Sequence, residues 1–502
     1  MRAFRRQRVA VVLAMTTCLG VAGEGRQQSE ELARRQYQQG LDFLRDGKFA
    51  EALRDFQTVA DGSPGSSVAD DALLEIARHQ MVVARDFDTA QRIIESLIKK
   101  YPTSDATPSA YVVAGQIALA RGRQPADFDR ALAEFQRVPR YFPGTEAVPA
   151  ALLARADTLR IAGRCAEAVD QYAQLAVEYP RSGWAPQANI GASRCLIAQN
   201  RAFEAMAGLQ LAVRNGMAAE HAARARALNT ILYRLYVRPP QPPFAFSGTT
   251  FGGSTGRMRD VVALGTSGGS LIAVSENGLS VLDLANKGAV ARTTKLENAR
   301  GVYSDPEGRS AIYSSRAVLR GTEPPVTLSV PKPDKSPRLL EDVTAMASLS
   351  TGEIVVADGN GPMLHRFNQA LKVVGPVTQG RAHRLAVGSL DQIAGLDRGD
   401  KSISVWTPDG KPLVRIPAKG QTWQIDEPVD IAFDAFDHLY VLDRGLGTVW
   451  VFAISSAPRL VTFFTLPEKS AGAFRRPTAL ALDTSGRLYI HDERAEKVQV
   501  YQ

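Results

Sequence analysis

Arg238-Pro239-Pro240-Gln241-Pro242-Pro243 divides this chain of 502 residues into two halves of different texture. Four prolines within five residues cannot continue a helix, because proline lacks the amide hydrogen and its ring clashes with the preceding turn. Such a segment is a stiff, extended spacer. Upstream, the chain is rich in Ala and Leu, with apolar residues at helical spacing. Downstream, short Val/Ile/Tyr runs are separated by Gly, Asp, Pro and Ser, the texture of strands and turns.

The helical half repeats. Ala52, Ala90, Ala131, Ala168 and Ala205 step by 38, 41, 37 and 37 residues, and Pro64, Pro102, Pro143 and Pro180 step by 38, 41 and 37. Two independent markers keep the same uneven rhythm. A residue four places after each Ala (Phe56, Ile94, Phe135, Tyr172 and Leu209) lies on the same helical face, where it fills the core of a hairpin. Each Pro stops a second helix and turns the chain into the next unit. The longer step follows from extra residues around Arg123-Gln124-Pro125, and residues 218–237 have the pattern of the capping helix that such arrays need.

The other half repeats as well. Runs ending at Ser275, Ser315, Asp358, Asp397, Asp443 and Asp492 step by 40, 43, 39, 46 and 49 residues. Pro477-Thr478-Ala479-Leu480-Ala481-Leu482-Asp483 precedes the last of them across Ser485-Gly486, and Val498 to Tyr501 follows it. Six such units of three or four strands predict a six-bladed β-propeller. The chain ends after a third strand, so Phe244 to Thr249 is expected to supply the missing outer strand of the sixth blade and close the ring.

These marks carry two resemblances. The helical unit resembles the tetratricopeptide repeat, and the Tyr-Pro-x-Ser endings (Tyr101 to Ser104, Tyr179 to Ser182) resemble bacterial envelope proteins of that kind, such as Tol-Pal coordinators and outer-membrane-assembly lipoproteins. The last two β units are similar to NHL-type repeats; earlier units depart from the pattern, with Ser275 and Ser315 in place of the Asp. The expected fold is therefore a multidomain protein, α then β: an N-terminal α-solenoid of about five tetratricopeptide hairpins (24–237), a proline-rich linker (238–243) and a six-bladed NHL-like β-propeller (244–502).

Residues 1–23 hold Arg2, Arg5, Arg6 and Arg8, no acid, and then a short apolar stretch ending in small residues, the pattern of a secretory signal. Without those four arginines the formal net charge of +8 is halved, and no Lys/Arg cluster with interleaved aromatics remains to bind nucleic acid. No apolar run approaches the 18 or so residues of a membrane span. Met15-Thr16-Thr17-Cys18 offers a poor lipoprotein box; lipid on Cys18 would give peripheral attachment to a membrane, as in an outer-membrane lipoprotein. Cys165 and Cys195 fall in neighbouring helical units, where an oxidising compartment allows a bridge; two buried thiols are the other reading. Export to the periplasm is the expected location.

Catalytic motifs are lacking. There is no nucleophile elbow, phosphate loop or dinucleotide fingerprint, and Gly252 to Gly256 reads as a β-context loop. The Asp row (Asp358, Asp397, Asp443, Asp492) reads as turn caps in preference to a cation site. His383, His438 and His491 occupy different kinds of position and imply no shared metal. No catalytic, metal or cofactor residue is assigned, and no cofactor is implied. Loops leading into the innermost strands carry Arg259, Arg300, Asp342, Arg384, Glu427 and Arg475, which make the candidate partner-binding face. The expected function is that of an exported, non-enzymatic scaffold for protein or peptide partners of the cell envelope. Alternatives are a metal-dependent, lactonase-like propeller hydrolase or lyase recruited by its helical array, and a carbohydrate- or peptidoglycan-binding module using Trp406, Trp423 and Trp450.

Overall fold

A computed structural model describes residues 27–502 except 123, 215–216, 239–241, 253–257, 306–307, 456, 466–471 and 474. The N-terminal segment with Cys18, and most of the Gly252–Gly256 loop, lie outside the described residues. Contacts divide the chain into two compact units, 1–192 and 193–502.

Eleven helices precede the β region among the described residues: α1 (27–45), α2 (Phe49–Gly62), α3 (Ala69–Val82), α4 (Phe87–Lys100), α5 (Ala106–Arg121), α6 (Pro125–Tyr141), α7 (Ala147–Ile161), α8 (Cys165–Glu178), α9 (Ala185–Ala198), α10 (Ala202–Arg214) and α11 (Ala219–Tyr236). In the first unit each even-numbered helix buries one narrow stripe at i, i+4 and i+7: Ala52-Phe56-Val59, Ala90-Ile94-Leu97, Ala131-Phe135-Val138 and Ala168-Tyr172-Leu175. The odd-numbered helix α5 touches α3, α4, α6 and α7, so its buried positions encircle it. The two kinds of helix therefore differ in pattern because one is an outer layer and the other is flanked on every side.

Three of these stripes carry an aromatic, and each of those rings packs against a position without a side chain. A Cβ on Gly115 of α5 would lie 2.4 Å from the Phe135 ring, one on Gly40 would lie 2.6 Å from Phe56, and one on Gly191 would lie 2.4 Å from Tyr172. Pro125 takes the first turn of α6, where Gln124 and Asp127 form a reciprocal capping box. Cys165 and Cys195 are each disulfide-bonded.

Among the described residues the second unit contains twenty-six strands, β1–β26 in chain order, forming six four-stranded antiparallel sheets and a two-stranded hairpin (Ser329–Pro331 with Pro337–Leu339). The innermost strands are β2 (Val261–Ser267), β6 (Ala299–Ser304), β12 (Val343–Ser348), β16 (Arg384–Val387), β20 (Pro428–Phe433) and β24 (Pro477–Leu482). Each touches the next, and β24 touches β2, so the six blades form a closed ring. The sixth sheet has the order β1-β26-β25-β24, in which β1 (Phe246–Gly252) lies outside β26 (Lys497–Tyr501). Thr250 faces Gln499 and Phe251 faces Val498, and Ala245 and Gln502 exchange both backbone bonds beyond the strand end. Phe251 stacks on Tyr489 at an interplanar angle of 22° within a core shared by the first and sixth blades.

Blade turns are clasped to one another. Ser350 donates its N–H and Oγ–H to Asp391 at 2.6 Å each, and Ser389 does the same to Asp437 at 2.6 and 2.8 Å. Asp391 and Asp437 have φ of 59° and 63°, at the turn position where Gly352 and Gly486 have 79° and 75°. Asp tolerates this left-handed conformation better than most residues.

The compact units divide within α9, ahead of the proline-rich segment, because α11 is bonded to the propeller. Tyr236 Oη lies 2.8 Å from His438 Nε2, Arg234 donates to the Gly486 carbonyl at 2.9 Å, and Ile231 fills the space beside Gly486.

The Gly–aromatic contacts predict opposite signs for one substitution at two helical sites. Gly115→Ala is expected to lower stability in chemical denaturation although Ala is the better helix former. Gly208→Ala in α10, with nothing within 4 Å of the new Cβ, is expected to raise it by up to about 1 kcal/mol.

Candidate functional site

The innermost strands converge on an axial channel of about 240 Å³, lined by apolar side chains and backbone from Leu264, Val302, Met346, Ala432 and Leu480. Where those strands begin, the channel opens into a mouth of about 620 Å³ with Arg384, Arg398, Lys401, Glu276, Glu427 and Arg444 in its lining.

Between mouth and channel lies a buried ion pair. Asp430 is buried; one oxygen accepts from Leu480 N at 2.9 Å and the other from Ile431 N at 3.0 Å, with Arg384 Nε 3.5 Å away. Burial pushes the Asp430 carboxyl up, and the Arg384 charge pulls it back. Arg384 reaches across the axis from β16 to β2, where Nη2 donates to the Val262 carbonyl at 2.7 Å, while Nη1 donates to the His383 carbonyl at 2.9 Å. The pair is a strut that spans the ring and floors the mouth.

Arg398 lies beside this floor. Its backbone N–H donates to His383 Nδ1 at 3.2 Å, and its Nη2 donates to the Val429 carbonyl at 2.7 Å. The residue as a whole is exposed. Even so, desolvation of its guanidinium in the concave mouth, and then the charge of Arg384, push its pKa down to about 10. Arg444 makes a two-pronged pair with Glu427, and Lys401 pairs with Asp426 at 3.1 Å.

The six residues named from sequence are split by the structure. Arg300, Arg384 and Glu427 line the mouth or its continuation beside His383. Asp342 is the partner of Arg300, and Arg259 pairs with Glu496 at 2.8 Å. Arg475 donates its backbone N–H to Asp492 at 2.8 Å. Glu276, Arg398, Arg444 and Glu493 of the mouth were not among the candidates. All four directly follow the repeated strand-end residue (Ser275, Asp397, Asp443, Asp492), and that shared offset was the available signal.

The strand-end aspartates bond backbone N–H groups of their own turns, as Asp443 does with Gly445 N at 3.1 Å and Asp492 with Arg494 N at 3.1 Å. In the last two blades they also hold the loop that enters the inner strand. Asp443 accepts from Asp426 N and Glu427 N at 2.8 and 2.9 Å, Asp492 from Arg475 N and Arg476 N, and Asp397 from Gly399 N. Asp358 takes Asn360 N and Arg338. His491 and His438 are buried, the first between Thr478 and the Met258 carbonyl, the second between Asp434 and Tyr236. Among the described residues no group of three His, Cys, Asp or Glu is arranged to hold a metal. Trp406 and Trp450 are buried, and Trp423 donates to the Pro417 carbonyl with its ring edge-on to Phe452, so none of the three offers an open stacking platform.

In the first unit, Asp71 at the start of α3 lies half-buried near Asp70, Asp105 and Glu75. Desolvation first, and then those charges, push it up to about 6.

These charges make two outcomes testable. Removing one member of the strut leaves a buried charge unpaired, so Arg384→Met is expected to cost about 3–5 kcal/mol. Arg384→Met/Asp430→Leu should recover most of that loss; additive losses in chemical denaturation would contradict the strut. Asp71 binds its proton more tightly folded than unfolded. Its contribution to stability is complete below about pH 4, the unfolded value, and is lost as pH rises through about 6. Asp71→Asn is therefore expected to flatten the fall in melting temperature between pH 5 and pH 7.

The helical region matches the family described as YfiO, outer membrane lipoprotein, over residues 29–189, about a third of the chain. Comparison with curated proteins gives no match. Among solved structures, virginiamycin B lyase from Staphylococcus aureus has 15% identity and a TM-score of 0.36, over 50% of this chain and 82% of its own. The PQQ-bound aldose sugar dehydrogenase from Streptomyces coelicolor has 11% identity and a TM-score of 0.35, over 52% of this chain and 97% of its own. A thermophilic TPR protein from Thermus thermophilus has 17% identity and a TM-score of 0.31, over 39% of this chain and 97% of its own. At these identities and scores the three structures bear on neither ligand nor chemistry. The chain thus joins a YfiO-like, tetratricopeptide-type helical region to a six-bladed β-propeller.

Proposed function

We propose that the protein is an exported, non-enzymatic adaptor of the cell envelope that holds one protein partner on its helical repeats and another on the propeller mouth. The observation that carries this reading is the match of residues 29–189 to an outer-membrane lipoprotein family, joined in one chain to a second repeat fold whose strand entries line a charged mouth. Residues 24–237 act as the solenoid, 238–243 as the linker and 244–502 as the propeller, after removal of 1–23 as a signal. Disulfide-bonded Cys165 and Cys195 agree with an oxidising compartment such as the periplasm. Among the described residues no helix is long and apolar enough to cross a membrane; lipid on Cys18 would supply attachment without one.

A propeller hydrolase or lyase is the second reading, favoured by the carboxylate of Asp430 at the head of the channel. Against it, both Asp430 oxygens are already bonded within the protein and Arg384 lies between them and the mouth. That arrangement serves the ring before any substrate.

The test uses the full chain in its envelope, with a photo-crosslinking residue in place of Arg78 on the solenoid or Glu276 in the mouth. Different proteins captured reproducibly from the two positions are the expected result. The adaptor reading would be overturned by no reproducible capture from either, together with lactone or ester turnover that Asp430→Asn abolishes.

A further inference from the structure

The mouth of the propeller is polarised. Arg384, Arg398, Lys401 and Arg444 come from the fourth and fifth blades, whereas Asp260, Glu276 and Glu493 come from the first and sixth. Lys401 and Arg444 each have a carboxylate partner in Asp426 and Glu427. Arg384 is fixed by its strut, with a carbonyl on either side and the buried carboxylate behind it. Arg398 differs. Among the described residues no carboxylate pairs with it, and its only acceptor is the Val429 carbonyl. A guanidinium carries five N–H donors, so most of those on Arg398 remain open to the cavity it lines.

The charges acting on Arg398 are also out of balance. Arg384 and Arg444 oppose its charge while Asp430 and Glu427 favour it, so three guanidiniums face two carboxylates. Two of those guanidiniums, Arg384 and Arg398, line the same cavity, and the fixed one cannot turn away from the other. An anion placed between them would relieve this repulsion and take up charge-assisted, two-pronged hydrogen bonds, the strongest that a carboxylate makes. The facing wall offers Asp260 and Glu276, which accept hydrogen bonds and repel bare anions. A ligand suited to both walls carries N–H donors next to its carboxylate, as a peptide chain does and phosphate does not.

We propose that the channel mouth is a binding site for a peptide carboxylate, a chain terminus or an Asp or Glu side chain of a partner, held by Arg398 above the Arg384 floor. The proposal rests on the adaptor reading and states the chemistry of one of its two surfaces. Arg384 is a positioning residue that presents the floor; Arg398 is the residue that touches the ligand.

The test titrates four probes into the full-length protein by calorimetry or chemical-shift perturbation: acetyl-triglycine as its free acid, acetyl-triglycine amide, acetyl-Gly-Glu-Gly amide, and inorganic phosphate. Binding of at least one carboxylate peptide is expected, at least about tenfold tighter than the triglycine amide and phosphate. Whichever of the free acid and the Glu peptide binds better tells a chain terminus from a side chain. Arg398→Gln, an exposed substitution outside the strut, should reduce that binding by about tenfold or more with an unchanged melting temperature. Arg292→Gln in the outer strand β5 (Ala289–Lys295) should leave it unaltered. The proposal is overturned if the amide binds as well as the acids, if Arg398→Gln binds as wild type does, or if no carboxylate peptide binds up to about 20 mM. Those failures sink the carboxylate site alone if Glu276 still captures a partner; no capture from either position together with turnover that Asp430→Asn abolishes, while the probes still bind, sinks the adaptor reading alone.

Discussion

One pairing holds the second unit together: the first strand after the proline-rich segment bonded to the last strand of the chain. Were β1 absent, β26 would expose a row of unpaired N–H and C=O groups, and the sixth blade would be an open edge. Phe251 of β1 also belongs to the core that joins the sixth blade to the first. The pairing therefore closes the ring by hydrogen bonds and by packing at once. Because the ends of the propeller meet there, Phe244 is drawn into a buried site against Tyr440 and Phe464, with Arg234 of α11 over its ring. That is why the last helix of the array belongs to the compact unit of the propeller.

A closed ring brings six strand beginnings to one axis, and this convergence creates both the strut and the mouth. Arg384 and Asp430 come from adjacent blades, and the carbonyl that Arg384 reaches lies on the other side of the axis. Burying such a pair is costly unless its lone pairs and protons find partners. Here backbone N–H groups from two blades take the carboxylate and two carbonyls take the guanidinium's Nη atoms, while its Nε faces the carboxylate at 3.5 Å, an ion-pair contact without a hydrogen bond. Arg398, one layer further out, has been left a single backbone acceptor. The contrast between an arginine held on both sides and an open one beside it points to a ligand at that place.

The repeats were plain in the sequence because each carries marks with a fixed physical task. The Ala–aromatic spacing and the terminal Pro placed α2, α4, α6 and α8, and the odd strand count of the last β unit required an outer strand from the start of the domain. Long-range relations were harder to read. Residues 218–237 have the pattern of a solenoid cap, and nothing local tells that Tyr236 meets His438 some two hundred residues later. Asp391 and Asp437 occupy the glycine position of their turns, a substitution that makes sense only with the clasped serines of neighbouring blades. The mouth was half visible. Arg384 and Glu427 stood out as charges before inner strands, but its role as a strut gives Arg384 a meaning that the chain alone could not supply. Arg398 and Arg444 carry no local mark beyond directly following the repeated aspartates, whose turn-capping role explains that spacing by itself.

Native-state hydrogen exchange, read by mass spectrometry on the full chain, tests the closed ring most directly. In a closed ring, amides of residues 246–252 exchange as slowly as those of 497–501, and both open together with the innermost strands in one cooperative event. Rapid exchange of 246–252 while 477–482 and 488–501 stay protected would mean that the ring is open, and both the strut and the mouth built on it would fall with that result.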